Sequence, residues 1–431
     1  MRLFKLASIA LVSACSAVAP PHTPTPTAKA SPDALAALHA QHMVGAIARR
    51  VFTHEEYWAA VAPFTTGAVR KEEVGRSAHG RPIYLLTYGN GATHVLLWSQ
   101  MHGDESTASM ALADLLQYLQ SGDARTQHWA ERLTIYMIPM LNPDGAQRFQ
   151  RENALGIDVN RDARMQSTSE GRTLKAVRDR VQPRFGFNLH DQNVRTRVGT
   201  SGRTAAISLL APPFDASGSV NDVRRRAQQV AAVIRHGIEP LVGGHITKYD
   251  ESFNPRAFGD LMQQWGTSTV LIESGGWRGD PQKQHLRRTN FVALLSAFDA
   301  IADGSYAEAR VADDESLPPN GRAARDLLVR GGTIVIPGLA PYRADLAIDR
   351  EEERPDRPAS ARIAEVGDLA EVQARDTVDA TGLFVHPADS ALAGGRGEPR
   401  FLRIGGTASF MITRTVQPGG EPVHRITDRH Y

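Results

Sequence analysis

Side chains that can bind a metal follow an apolar run near residue 100. The stretch QMHGDESTAS places His102 and Glu105 three positions apart, directly after the run HVLLWS. At a turn between a strand and a helix, two such residues can reach one ion, and imidazole with carboxylate is a donor pair that suits zinc. The spacing therefore predicts part of a metal site at the end of a buried strand.

Two further apolar runs end at residues of the same kind. RFGFNL is followed by His190, and STVLIE ends at Glu273. A catalytic zinc typically has three protein ligands and one open position, and His102, Glu105 and His190 fit that number. Glu273 then remains as a general base for zinc-bound water, whose pKa the metal lowers to near 7. Their shared position at strand ends favours a site, because each residue alone is commonplace.

The elements that must position these residues alternate along the chain. Runs typical of buried strands are HVLLWS, LTIYMIPM, RFGFNL and STVLIE. Amphipathic helical stretches alternate with them, such as STASMALADLLQYLQ after the first run and HLRRTNFVALLSAFDAIA after the last. Such alternation predicts an α/β fold with a mostly parallel or mixed central sheet covered by helices. The carboxyl ends of its strands are where a ligand would bind.

The chain changes character after residue 302. A polar stretch rich in Pro, Gly and Asp is followed by short β-type runs such as DLLVRGGTIVI, GLFVHP and SFMITRTV. We predict a catalytic α/β domain over residues 33–305, a linker over 306–321 and a small all-β domain over 322–431.

The N-terminus has the pattern of an export signal. Arg2 and Lys5 precede a short apolar stretch that ends at Cys15, the only cysteine, and VSAC resembles a bacterial lipoprotein signal. The resemblance implies a signal peptide over residues 1–14, a lipid on Cys15 and a Pro/Thr-rich tether over 15–32. By the same resemblance, Ser16 after the cysteine favours anchoring of the protein to the outer membrane, where it would face the periplasm. The alternative is an ordinary signal peptide with an incidental cysteine.

Composition excludes several classes of partner. Lys and Arg total 49 against 47 acidic residues, so no large field of one sign indicates nucleic acid or an anionic membrane surface. The lipid anchor is therefore the only membrane attachment that we expect. A single cysteine also excludes an internal disulfide bond.

Five motifs, in this order and spacing, resemble the zinc carboxypeptidase family: HGDE, NPDG, RENALGIDVNRD, FNLH and LIES. The resemblance covers roughly residues 70–300. It implies one Zn²⁺ per chain, held by His102, Glu105 and His190. It also implies hydrolysis of the C-terminal peptide bond of peptides that have a free C-terminus, by zinc-bound water that Glu273 activates.

The same resemblance assigns roles to residues between the strands. Arg151 would polarise the scissile carbonyl and stabilise its oxyanion, and Asn160 with Arg161 would bind the terminal carboxylate of the substrate. Asp158 matches the carboxylate that orients the first ligand histidine. Tyr249 lies near the position of the family's mobile substrate-capping tyrosine.

Two departures from the family pattern keep alternatives open. Asp162 stands where the family usually has Asn, which predicts a negative charge near the carboxylate-binding position. In HDQ, the third ligand is followed by Asp and Gln where many relatives have Ser and Tyr. A zinc-dependent deacylase or amidase acting on acyl-amino acids or peptidoglycan peptides therefore remains possible. A non-catalytic envelope binding protein is disfavoured, because all three ligands and Glu273 are present.

The C-terminal runs resemble the β-sandwich that flanks the barrel of amidohydrolases. In that superfamily the strand corresponding to GLFVHP leads into a barrel with a His-x-His metal pair, but here only His386 is present and no barrel follows. We therefore expect an accessory module, in which His386 is structural.

Overall fold

A computed structural model describes residues 31–351, 354, 358–395 and 399–427. The predicted signal peptide, Cys15 and the predicted tether up to residue 30 lie outside these residues. Among the described helices, none combines the length and the apolar character needed to cross a bilayer.

A mixed eight-stranded sheet organises the described residues of the first domain, in the order β1-β2-β4-β3-β5-β9-β7-β8. The central neighbours β4, β3, β5 and β9 are parallel. The pairs β1–β2, β2–β4 and β7–β9 are antiparallel, and β8 pairs parallel with β7. The strands of this part, including the separate pair β6 and β10, are β1 Val69–Arg76, β2 Pro82–Tyr88, β3 Thr93–Ser99, β4 Leu133–Ile138, β5 Phe185–Asp191, β6 Arg197–Val198, β7 Ile207–Leu210, β8 Ile246–Lys248, β9 Ser268–Ser274 and β10 Asn320–Gly321.

Helices cover both faces of this sheet. Along β3, Val95 and Leu97 face one apolar cluster and Leu96 and Trp98 face another, because successive strand residues point to opposite sides. The predicted helix-covered α/β fold is thus confirmed. The helices are α1 Pro32–His42, α2 His54–Val61, α3 Thr107–Leu119, α4 Ala124–Arg132, α5 Pro143–Arg148, α6 Ser169–Val181, α7 Asp222–Val242, α8 Phe258–Gln264, α9 Gln284–Asp303 and α10 Val311–Glu315.

The segment predicted as a linker is ordered against the edge of the sheet. It contains α10, and β10 pairs with β6. The Lys248 amide of the edge strand β8 donates to the Pro318 carbonyl at 2.8 Å. An edge strand leaves backbone groups unpaired, and here the segment joining the two domains satisfies some of them.

The second domain is a β-sandwich. Two sheets of the described residues, β15-β14-β11-β16 and β13-β12-β17-β20-β21, enclose one apolar core that includes Leu327, Ile363, Val385 and Ile412. The strands are β11 Arg325–Arg330, β12 Thr333–Ile334, β13 Tyr342–Arg343, β14 Asp345–Glu351, β15 Ser360–Gly367, β16 Ala374–Asp379, β17 Phe384–Pro387, β18 Leu392–Ala393, β19 Phe401–Leu402, β20 Phe410–Thr413 and β21 Pro422–Ile426.

Candidate metal centre

Three adjacent strand ends bring the predicted site residues together. His190 of β5 pairs in register with Glu273 of β9, and the turn after β3 carries His102 and Glu105. This turn packs closely on α5: a Cβ at Gly103 would lie 1.9 Å from the carbonyl carbon of Gly145. Only glycine permits that approach, which fixes the position of the two flanking ligand candidates.

Nitrogen and oxygen atoms of three buried side chains converge on one point. The His102 Nδ1 lies 2.8 Å from Glu105 Oε1, the His190 Nδ1 lies 2.7 Å from Glu105 Oε2, and the two Nδ1 atoms are 3.2 Å apart. One ligand atom from each residue lies within 4.8 Å of the others. The spacing matches that of atoms that share one metal ion.

The orientation of His102 also fits a metal. Its Nε2 lies 2.9 Å from Asp158 Oδ1. This contact suits a ring that donates from Nε2 to Asp158, which would leave the lone pair of Nδ1 for a metal ion. A cation already approaches this point, since Arg151 Nη1 lies 3.1 Å from both His102 Nδ1 and Glu105 Oε1. Two imidazoles and one carboxylate form a donor set that zinc prefers.

The charges of the cluster support this assignment. Burial acts to raise the pKa of Glu105, but the adjacent His102 and His190 outweigh it and hold that pKa well below its usual range. Burial lowers the pKa of His190, which favours the neutral ligand form. Its Nε2 is buried and has no hydrogen-bond partner among the described residues.

Glu273 lies beside the cluster but, unlike Glu105, is not hydrogen-bonded to its histidines. Its carboxylate makes no hydrogen bond within the described part of the chain, and the side chain retains slight exposure. Burial first, and then the negative charge of Glu105, raise its pKa well above the ordinary value. The position suits a group that exchanges a proton.

A buried ion pair beneath the cluster was not predicted. Lys283 Nζ donates to Asp191 Oδ2 and to the Ser274 carbonyl, both at 3.1 Å. Asp191 also accepts from Thr107 Oγ1 at 2.7 Å, and its amide donates to Glu105 Oε2 at 3.1 Å. Lys283 therefore ties the ends of β5 and β9 together, which sets the separation of His190 and Glu273.

The loop after α5 positions the predicted substrate-binding residues. Asp158 caps a short 3₁₀ helix, Val159–Arg161, and also accepts from Arg151 Nη2 at 2.9 Å. The Phe258 amide donates to Asn160 Oδ1 at 3.0 Å. Arg161 donates to the Asn160 carbonyl and forms no ion pair with any described residue. Its guanidinium is therefore available to an anionic ligand.

Tyr249 directly follows β8 and lies within electrostatic range of Glu273. The negative charge of Glu273 is the first cause that raises the pKa of its hydroxyl, followed by burial. The Tyr249 amide donates to the Leu209 carbonyl at 2.9 Å. The structure thus brings this side chain towards Glu273, although its sequence context matches the family weakly.

Asp162 does not lie where its sequence position suggests. Its carboxylate is buried and accepts from the Ser167 and Thr168 amides at 2.8 Å and from Thr168 Oγ1 at 2.7 Å. We expected this carboxylate to place an unpaired negative charge near the carboxylate-binding residues. Instead it is hydrogen-bonded to three donors in the loop that leads to α6.

The arrangement resembles that of metal-dependent hydrolases: three residues that could bind a metal lie at the edge of a sheet, with a further carboxylate beside them. Residues 54–196, about a third of the chain, match the family model described as zinc carboxypeptidase.

Curated relatives match part of the chain. A probable carboxypeptidase 2 of Arthroderma benhamiae is 32% identical over 122 residues, which are 27% of this chain and 21% of the relative. Carboxypeptidase D of Mus musculus is 30% identical over 201 residues, which are 37% of this chain and 14% of the relative. The chain thus spans less than a third of the length of either protein.

Solved structures resemble the chain at low identity. A metallo-carboxypeptidase from Burkholderia cenocepacia has a TM-score of 0.47 and 18% identity, covering 59% of this chain and 70% of that one. A metallo-carboxypeptidase from Pseudomonas aeruginosa, in complex with (2-guanidinoethylmercapto)succinic acid, has a TM-score of 0.46 and 18% identity, covering 58% of this chain and 69% of that one.

Proposed function

We propose that the protein is a zinc-dependent metallocarboxypeptidase that removes the C-terminal residue of peptides. The observation that carries the proposal is the convergence of His102, Glu105 and His190 at one edge of the sheet, with Glu273 in register beside the third ligand. We assign one Zn²⁺ per chain to these three residues. When bound, zinc would polarise the scissile carbonyl and lower the pKa of the attacking water.

The residues of this chain divide the remaining chemistry. Glu273 accepts a proton from the attacking water and returns it to the departing amine, which leaves the carboxylate ready for another cycle. Arg151 donates to the carbonyl oxygen as negative charge develops there. Asp158 holds both His102 and Arg151, so the ligand and the oxyanion donor are oriented by one carboxylate.

Specificity for a free C-terminus rests on Asn160 and Arg161. A guanidinium binds a carboxylate through two parallel hydrogen bonds, and Arg161 makes no ion pair with a described residue. We assign Tyr249 the role of covering the bound terminal residue, from its proximity to Glu273.

We further propose that the protein is exported and held at the bacterial outer membrane, facing the periplasm, by a lipid on Cys15. The support is the basic, apolar and Ser-Ala-Cys pattern of residues 1–15. In a bacterial host, Cys15→Ala should move the protein from the membrane fraction to the soluble fraction. Equal membrane association of the two forms would contradict the anchor.

The experiment that tests the activity compares peptides with free and amidated C-termini. Mass spectrometry should detect loss of single terminal residues from the free-ended peptides alone, and a zinc chelator should stop it. Arg161→Met should raise KM for the free-ended peptides, because their carboxylate loses its partner. Equal cleavage of amidated peptides would contradict the carboxypeptidase and indicate an amidase or deacylase.

A further inference from the structure

A cavity of about 770 Å³ lies between the α/β domain and the β-sandwich. The first domain contributes Gly275 and Gly276, which follow Glu273, and Val194, which follows the strand of His190. The sandwich contributes residues that include Arg350 and Arg375. A volume of this size is typical of sites that hold small ligands, so it suits a short peptide segment rather than a folded protein.

The wall of the cavity includes residues that neighbour the metal centre along the chain or through a hydrogen bond. Gly275 is two residues beyond Glu273, a separation of about 7 Å along extended chain. Lys283 forms part of the wall and also contacts Asp191, which follows the ligand His190. Another wall residue, Arg50, donates to the Asp104 carbonyl at 3.2 Å, one residue before the ligand Glu105.

The cavity lies apart from the proposed carboxylate-binding residues. Among the described residues, neither Asn160 nor Arg161 lines it, and Tyr249 does not line it either. A peptide whose C-terminus is bound by Asn160 and Arg161, and whose last peptide bond lies at the metal centre, must leave the centre elsewhere. The cavity offers that path.

Among the described residues that line this cavity, the charge left without an ion pair is positive. Seven basic and five acidic side chains of the described residues line it. The acids already have partners: Asp376 pairs with Arg278 at 2.8 Å, and Asp326 accepts from Arg375 Nη1 at 3.3 Å.

The other three acids are engaged as well. Asp280 accepts from backbone amides at the start of α9, Glu56 belongs to the capping box of α2, and Glu351 pairs with Arg362 at 3.2 Å. Arg49 and Arg354, in contrast, form no ion pair with any described residue.

We propose that this cavity binds the part of the substrate that precedes the cleaved bond, and that its arginines favour acidic residues there. The inference rests on the proposed carboxypeptidase function and adds a substrate class to it: short peptides with acidic residues upstream of the terminal residue. The β-sandwich thereby contributes to substrate selection without taking part in the chemistry.

The test uses paired peptides that differ only at three positions upstream of the cleaved bond, which are all Glu or all Lys. Both peptides carry the terminal residue that the enzyme releases best from a mixed set. Two partly exposed ion pairs of about 0.5 kcal/mol each correspond to a preference of about fivefold in kcat/KM for the acidic peptide. The preference should shrink at high ionic strength, because salt screens exposed charges.

A double variant, Arg49→Glu with Arg354→Glu, should abolish or reverse the preference. The matched control is Arg132→Glu: this exposed arginine ends α4 at the amino end of β4, the opposite end of the sheet from the metal centre. The control should keep both the activity and the preference. Fluorescence anisotropy of the same labelled peptides with Glu273→Gln measures their affinity without turnover.

The outcomes separate the two proposals. Chelator-sensitive trimming at equal kcat/KM for both peptides would overturn the inference and leave the carboxypeptidase intact. If no peptide is trimmed, the proposed function fails, and the binding assay alone tests whether the cavity binds acidic peptide segments. Tighter binding of the acidic peptide, lost in the arginine double variant, would then support the cavity, and equal binding would overturn it.

Discussion

The two domains treat buried histidine differently. In the α/β domain, His102 and His190 direct their Nδ1 atoms at each other and at Glu105. In the β-sandwich, His386 is also buried, but its Nε2 lies 3.0 Å from Thr413 Oγ1 and 3.2 Å from the Thr415 carbonyl, and it belongs to no metal-capable cluster among the described residues. Convergence of donors, rather than burial of a histidine, therefore distinguishes a chemical site from a structural contact.

The largest effect is expected from Glu273→Gln, which removes the proton acceptor while nearly keeping the shape of the side chain. Turnover should fall by about 10³-fold or more, because base and proton donor are the same group. Zinc content should be unchanged, since Glu273 is not a ligand in this account. Near-normal kcat would refute the role of Glu273.

The contrast between the domains can be tested directly with a matched pair of histidine variants. His190→Ala should lower the zinc content of the purified protein well below one per chain, because only two ligands remain. His386→Ala should retain the full zinc complement. Metal analysis of both proteins provides the measurement, and normal zinc in His190→Ala would mean that the third ligand is misassigned.

The buried pair Lys283–Asp191 should matter more than any surface ion pair of the sandwich. Lys283→Met leaves the Asp191 carboxylate buried without its cation, and we expect the unfolding free energy to fall by about 3–5 kcal/mol. The double variant with Asp191→Asn should recover most of that loss, since no charge stays unpaired. Urea denaturation measures both, and a loss below about 1 kcal/mol for Lys283→Met would contradict the pairing.

A smaller effect is expected at the joint between the domains. Burial raises the pKa of Asp314 in α10 to about 6, even though Lys248 Nζ lies 3.6 Å from its carboxylate. A raised pKa in the folded state means that the contribution of this group to stability is fully present below its unfolded pKa and is lost as pH rises through 6.

Between pH 4 and 7, the unfolding free energy of the protein should therefore fall relative to Asp314→Asn, by up to about 3 kcal/mol. Denaturation of both proteins at several pH values provides the difference. Parallel pH profiles would show that Asp314 ionises as freely in the folded protein as in the unfolded chain.

The parts of the fold that sequence predicts well are those with a strong local signal. The run HVLLWS became β3, and LTIYMIPM became β4, which ends at Ile138 because Pro139 cannot donate to the sheet. The linker was predicted from its polar composition, yet α10 and β10 form there, because contacts with the distant strands β8 and β6 provide hydrogen-bond partners.

The residues of the candidate site likewise divide into those that the sequence predicts and those that only the structure reveals. His102, Glu105, His190 and Glu273 could be selected because each ends an apolar run or lies in the turn that follows one. The carboxyl ends of neighbouring parallel strands lie at one edge of the sheet. Lys283 could not be paired with Asp191, because 92 residues separate them and neither lies in a periodic pattern. Residue type alone also failed to reveal which way the Asp162 carboxylate points.

The most direct test of the account is a titration of metal-free protein with zinc, followed through both bound metal and release of the terminal residue from a free-ended peptide. The account predicts that activity rises in proportion to bound zinc and reaches its maximum at one equivalent per chain. Full activity of the metal-free protein, or a protein that binds zinc at this centre and never trims a peptide, would contradict it.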